Sequence, residues 1–191
     1  MNDRRKADEQ ADADHLAHLK TKPVRRHGQS RPLRPQQLFA SWIGAFVGIG
    51  VLALIVEGLP SLQLLVIGSF GASAVLLFGA PKAPFSQPRN LIGGHLTSAV
   101  VGVLCYQYLP NFQILQEAVA VASAIALMQV TRTMHPPGGA TALIAVIGGS
   151  SVHAMGWGYV FVVVFGAGIM LLVALISNNL YEAGSYPQHW D

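Results

Sequence analysis

Five side chains able to do chemistry fall between positions 131 and 141: Thr131, Arg132, Thr133, His135 and Thr141. They surround Pro136-Pro137-Gly138-Gly139. Arg132 is a permanent cation with a planar set of donors, suited to holding an anion. Its ordinary alternative is a flank residue at the cytoplasmic end of an apolar run. His135 changes charge near neutral pH, so it is a candidate proton carrier or anion donor. It is equally a candidate cap for backbone groups freed by the prolines. Thr133 and Thr141 offer hydroxyls to a substrate, or to helix ends. Ser69 and Ser73 make the same offer from Gly68-Ser69-Phe70-Gly71-Ala72-Ser73-Ala74. His95, in Gly93-Gly94-His95, is a further substrate-binding candidate whose alternative is a packed, hydrogen-bonded histidine.

The elements that must position these groups are apolar. Of the 191 residues, 52% are hydrophobic and 11% charged, well under the roughly 25% charge of a soluble domain. Apolar runs cover Phe39–Val56, Leu62–Gly79, Leu91–Leu109, Phe112–Val130 and Trp157–Ser177, with a short one at Ala140–Gly149. The long ones have the length needed to cross a bilayer core. Proline forbids an unbroken helix through 136–137, because it lacks the N–H and clashes with the preceding turn. The expected fold is therefore an all-α membrane protein of five or six transmembrane elements with a broken helix at Pro136-Pro137.

Nine of the twelve Lys and Arg residues precede position 35. Residues 1–35 read as a solvated, disordered basic tail, 36–181 as the transmembrane domain and 182–191 as a short C-terminal tail. No secretory signal peptide is read at the N-terminus: Arg4-Arg5 is not followed by an apolar core. Positive residues mark cytoplasmic flanks. The tail places the N-terminus inside, and the Lys82/Arg89 loop, two crossings later, agrees. Location in a bacterial inner (plasma) membrane is expected. The basic total sits in one tail, so nucleic-acid binding is not indicated.

An internal echo links Gly71-Ala72-Ser73-Ala74-Val75-Leu76 to Gly139-Ala140-Thr141-Ala142-Leu143-Ile144. It suggests two inverted repeats of three elements, about 39–109 and 112–180, with a site at their interface near the midplane. Two short helices starting near Ala72 and Ala140 would aim their N-termini inward, where free N–H groups attract anions. Arg132 and His135 would then lie inside the membrane, where ionisable groups are usually functional. Glu57 and Glu117 read as interfacial. Small residues along the helices suggest a homo-oligomer.

Other chemistries find no footing. One cysteine, Cys105, makes no intrachain disulfide or thiolate metal cluster. No phosphate loop, zinc spacing or nucleophile elbow is present, so no enzyme, metal or cofactor is expected.

Three ordered blocks carry a resemblance: 68–76, then Pro88-Arg89-Asn90 with Gly93-Gly94-His95, then 131–143. The chain resembles the HPP family of integral membrane proteins over about 38–180. The family is described as four spanning helices with a transport role, and its plastid and cyanobacterial members are associated with nitrite transport. The resemblance thus implies a transporter or channel for a small inorganic anion, nitrite first. A non-transporting scaffold or sensor acting through the basic tail is the alternative. Some members carry a C-terminal nucleotide-binding module; none is read here, so no nucleotide regulation is expected.

Overall fold

Proline opens four of the helices. Pro35, Pro60, Pro88 and Pro137 each stand at a helix's first residue, where a missing N–H costs nothing and the fixed φ suits the helix. The computed structural model describes residues 34–190. The basic tail expected at 1–35 lies almost wholly outside these residues.

Helix α1 covers Pro35–Ile55. The next helical run, 60–79, is not uniform. It passes from α2 (Pro60–Leu65) through a wide π-helical turn (Val66–Phe70), one α turn, α3 (Gly71–Ala74), and a second π-helical turn (Val75–Gly79). The helix start expected near Ala72 is absent, because Phe70 already has helical angles (φ −75°, ψ −27°). No proline interrupts this stretch, so the chain widens instead of breaking and exposes no free N–H groups there. A 3-10 turn, Pro84–Ser86, leads into α4 (Pro88–Tyr108). Then follow α5 (Gln113–Thr131), α6 (Pro137–Ile147), α7 (Gly149–Met155) and α8 (Gly158–Tyr181). Between α6 and α7 the axis bends by 100°.

Among the described residues three helices are long and apolar enough to cross a membrane: Pro35–Ile55, Gln113–Thr131 and Gly158–Leu180. The bent α6–α7 pair makes a fourth if it counts as one span. Helix α4 has the length but not the apolarity. It is the central helix, packed on α5, α6 and α8, with Leu91, His95, Ser98 and Ala99 fully buried. Large apolar side chains point outward instead: Phe39, Trp42, Phe46 and Leu54 on α1, Phe161, Phe165 and Leu172 on α8. An apolar exterior of this extent is made for lipid, not water.

One end of the molecule carries Lys82, Arg89 and Arg132. Arg89 donates from Nη2 to the Thr131 carbonyl at 3.1 Å, and Lys82 lies 3.4 Å from Glu182. The segment after α8 folds back onto the same end. Tyr186 donates to the Ser86 carbonyl at 2.7 Å, and the Gln188 N–H to Gln87 Oε1 at 2.8 Å. Burial pushes the Tyr186 phenol far above its ordinary range, so it stays a donor. At the opposite end His153 stacks on Tyr106, ring centres 3.6 Å apart, and bonds the Val146 carbonyl.

Candidate functional site

Helix α5 ends in a turn of the Schellman type. The Thr133 N–H reaches back to the Met128 carbonyl and the Arg132 N–H to Gln129, with Arg132 left-handed at φ 56°. Glycine normally takes that position. The turn delivers an extended stretch, which the two prolines close into α6. Its docking on α4 depends on missing side chains. A Cβ on Gly94 would collide with the His135 side chain, and one on Gly102 would stand 2.6 Å from the Ala142 carbonyl and from the Ala145 methyl. Across the gap a Cβ on Gly138 would sit 2.6 Å from Ser98 Oγ. Asn90 ties the stretch down by donating to the Met134 carbonyl at 2.9 Å.

This packing brings together five polar side chains, each at 0% exposure: Ser69 and Ser73 from the run 60–79, His95 from α4, His135 from the turn and Thr141 from α6. Ser73 Oγ is the hub. It lies 2.9 Å from His95 Nε2, 2.9 Å from His135 Nε2 and 3.1 Å from the Ser69 carbonyl. His95 Nδ1 lies 2.8 Å from Thr141 Oγ1. Thr141 Oγ1 meets Ser69 Oγ at 2.5 Å, and Ser69 also donates to the Pro137 carbonyl at 3.1 Å. His135 donates from Nδ1 to the Phe85 carbonyl at 2.8 Å. The imidazole centres stand 4.9 Å apart, and Phe70 flanks His95 at 5.1 Å. Every polar atom of the group has a partner, as burial demands.

Two of the expected site residues stay outside this cluster. Thr133 is buried, but its hydroxyl bonds Thr131 at 2.7 Å and its methyl packs where Gly93 leaves room. Arg132 is exposed. The expectation that it lies in the membrane interior is corrected here. Helix α5 runs on to Thr131, so Arg132 forms the turn itself, at the charged end beside Arg89, and not the returning leg. The free helix start expected near Ala72 is likewise replaced by a continuous run.

Sequence reasoning missed Tyr159, fully packed on α8, which donates to the Thr141 carbonyl at 2.7 Å. A tyrosine inside so apolar a run needs a partner for its hydroxyl, and that was its signal. It also missed the Phe85 and Pro137 carbonyls, which no side-chain pattern marks. Among the described residues no three His, Cys, Asp or Glu side chains group as a metal site.

A bundle with an apolar exterior, a buried polar centre and cations gathered at one end is an integral membrane protein. The profile of the HPP transmembrane region matches residues 30–187, and the chain belongs to that family. It is 49% identical over 157 residues to a transmembrane protein of Dictyostelium discoideum, covering 78% of this chain and 54% of the relative. A second transmembrane protein of the same organism is 43% identical over 171 residues, covering 85% of this chain and 55% of the relative. The chain thus spans about half the length of the curated relatives it matches. No solved structure matches it.

Proposed function

We propose that this protein carries a small inorganic anion, nitrite first, across a membrane, with the buried cluster as its intramembrane binding site. One observation carries the reading: five polar side chains from four segments converge, fully buried, inside a body whose outside suits lipid. Ionisable groups so placed are costly and ordinarily serve transport or relay. His95, His135, Ser69, Ser73 and Thr141 would supply donors to the anion. Arg132 acts from the mouth, where with Arg89 it raises the local anion concentration, and Thr133 fixes the turn behind it.

Six crossings in two inverted units complete the proposal. Helix α6 alone, 11 residues, covers about 16 Å, near half a bilayer core. The extended stretch before it supplies the remainder of a crossing. Packing supports the repeat: α1 lies on α8 as α5 lies on α4, and α4 meets α8. The charge-bearing end, and the N-terminus with it, would face the cytoplasm. A homo-oligomer in which each protomer keeps its own path also belongs to the proposal, and cross-linking in native membranes checks it. The expected bacterial inner membrane draws no support from amoebal relatives, and fractionation of the source cells decides it.

Nitrite uptake into proteoliposomes tests the reading. Wild type should exceed protein-free vesicles, and Ser73→Ala should fall at least about tenfold, the effect of losing a buried hydrogen-bonding hub. Arg132→Ala should slow uptake at low salt and approach wild type as salt screens the mouth. Wild-type vesicles no more permeable than empty ones, across nitrite, nitrate, formate and chloride, would remove the assignment.

A further inference from the structure

Proton positions in the buried cluster follow from its partners. Carbonyl oxygens only accept. Ser69 must therefore give its proton to the Pro137 carbonyl, and His135 must carry one on Nδ1 for Phe85. With Ser69 committed, the contact between Ser69 Oγ and Thr141 Oγ1 takes the threonine proton. Thr141 then has none left for His95, so His95 Nδ1 carries the proton between them.

That leaves Ser73 in a particular position. If both imidazoles are neutral, each Nε2 is bare. Ser73 Oγ then faces three acceptors with one proton: His95 Nε2, His135 Nε2 and the Ser69 carbonyl. Two of these three contacts have no hydrogen. Adding a proton to each Nε2 removes the shortage. Ser73 then accepts from both rings with its two lone pairs and donates its own proton to Ser69. The first proton added at either Nε2 already cuts the contacts without a hydrogen from two to one, so the geometry favours a ring protonated at Nε2.

The surroundings supply no charge to balance such a ring. The run 60–79 presents Ser69 and Ser73, the 84–86 turn presents only the Phe85 carbonyl, and α6 presents Thr141. On α8 the Tyr159 hydroxyl is engaged with the Thr141 carbonyl, and α5 brings Met128 beside Ser98. Arg89 and Arg132, the charged residues nearest in sequence to the two rings, are exposed at the charged end. No Asp or Glu among the described residues bonds any atom of the cluster. A buried cation without a counter-charge is unstable. A cation formed here requires an anion to enter with the proton.

We infer that the coupling ion of this transporter is the proton, taken up at one Nε2 of the His95–His135 pair beside Ser73 as the anion binds. This rests on the anion-transport reading above. In each cycle one proton from water adds to one Nε2, the anion binds against the new imidazolium, and both leave together on the far side. Charge and protons balance, and one proton moves with each monovalent anion. The second imidazole is the next acceptor along the relay.

The test uses the full chain in vesicles with the membrane potential clamped to zero by potassium and valinomycin. Sodium nitrite and sodium nitrate are the probes, and a trapped pH dye reports protons. Protein-free vesicles correct for passage of undissociated acid. A gradient of one pH unit, alkaline inside, should drive about tenfold anion accumulation at one proton per anion, with matching internal acidification. His95→Gln, which cannot titrate, should lose that accumulation. Should the variant fail to fold, ¹⁵N-histidine spectra of the wild type decide in its place. Nε2 should be bare without nitrite and protonated with it, and spectra unchanged by nitrite overturn the inference. Anion flux indifferent to the pH gradient, with a silent dye, overturns the proton inference and leaves transport standing. An absence of anion flux under every gradient overturns the transport reading, and the proton inference falls with it.

Discussion

The two middle segments of the chain, 60–79 and 132–155, both reach the buried centre, and they do so by opposite means. The first stays helical from end to end and widens twice, at Val66–Phe70 and Val75–Gly79. The second is broken: a left-handed residue, an extended stretch, two prolines, then α6 and a 100° bend into α7. One contributes hydroxyls from Ser69 and Ser73. The other contributes an imidazole and a hydroxyl from His135 and Thr141. A wide helical turn keeps its backbone bonded and alters only where side chains point. A proline break frees backbone groups that neighbours must then satisfy, and here Asn90 does so from α4 by donating to the Met134 carbonyl. The broken segment therefore depends on its neighbours more than the widened one.

Substitutions can break this contrast. The largest effect should come from glycines beneath the broken segment. Gly102→Leu forces a side chain into the Ala142 carbonyl and should cost about 3 kcal/mol or more, seen as a collapsed unfolding temperature in detergent. Gly68→Ala, in the widened run, meets only the Ile144 Cδ1 methyl at 3.3 Å and should cost under about 1 kcal/mol, since a flexible side-chain end can shift. Equal losses at the two sites would erase the distinction.

Next in size is His135→Phe. It takes the imidazole donor from the Phe85 carbonyl and one of three contacts from Ser73, and should destabilise by about 1–3 kcal/mol. A double-mutant cycle of His135→Phe with His95→Phe should be non-additive, because both rings share Ser73. Additive losses would mean that the hub does not couple them.

Ser69→Ala should cost about 1–2 kcal/mol through the lost bonds to Pro137 and Thr141. With the Ser73–His135 contact, it links the two middle segments directly. Limited proteolysis of the variant should show cleavage first in the broken segment.

The smallest effect belongs to Arg132→Gly. Left-handed backbone is strained by about 1 kcal/mol for a side-chain-bearing residue, and glycine relieves it. Unfolding temperature should hold or rise by a few degrees. A marked loss would mean that the guanidinium makes a stabilising contact after all.

Much of the site was legible from residue types. Pro136-Pro137 announced the break, and polar residues in otherwise apolar runs pointed to Ser69, Ser73, His95, His135 and Thr141. No local pattern announces that Gly94 lies under His135 and Gly138 against Ser98. Other features left no local trace. Wide turns in 60–79 arise from packing, since nothing in Val66–Phe70 demands one. Arg132 misled because the left-handed residue that closes a helix is usually glycine, and here the chain uses arginine. Helix α4 hides among soluble-looking helices because its polar residues face inward.

The fold-back after α8 has a practical meaning. Tyr186 grips the carbonyl of Ser86, one peptide bond from the Phe85 carbonyl that orients His135. Whatever tugs on 185–188, a fused reporter or a docking protein, is felt at the imidazole through two hydrogen bonds and a single residue step. Reporters are better joined elsewhere, and a natural ligand for that strap would hold a lever on the centre.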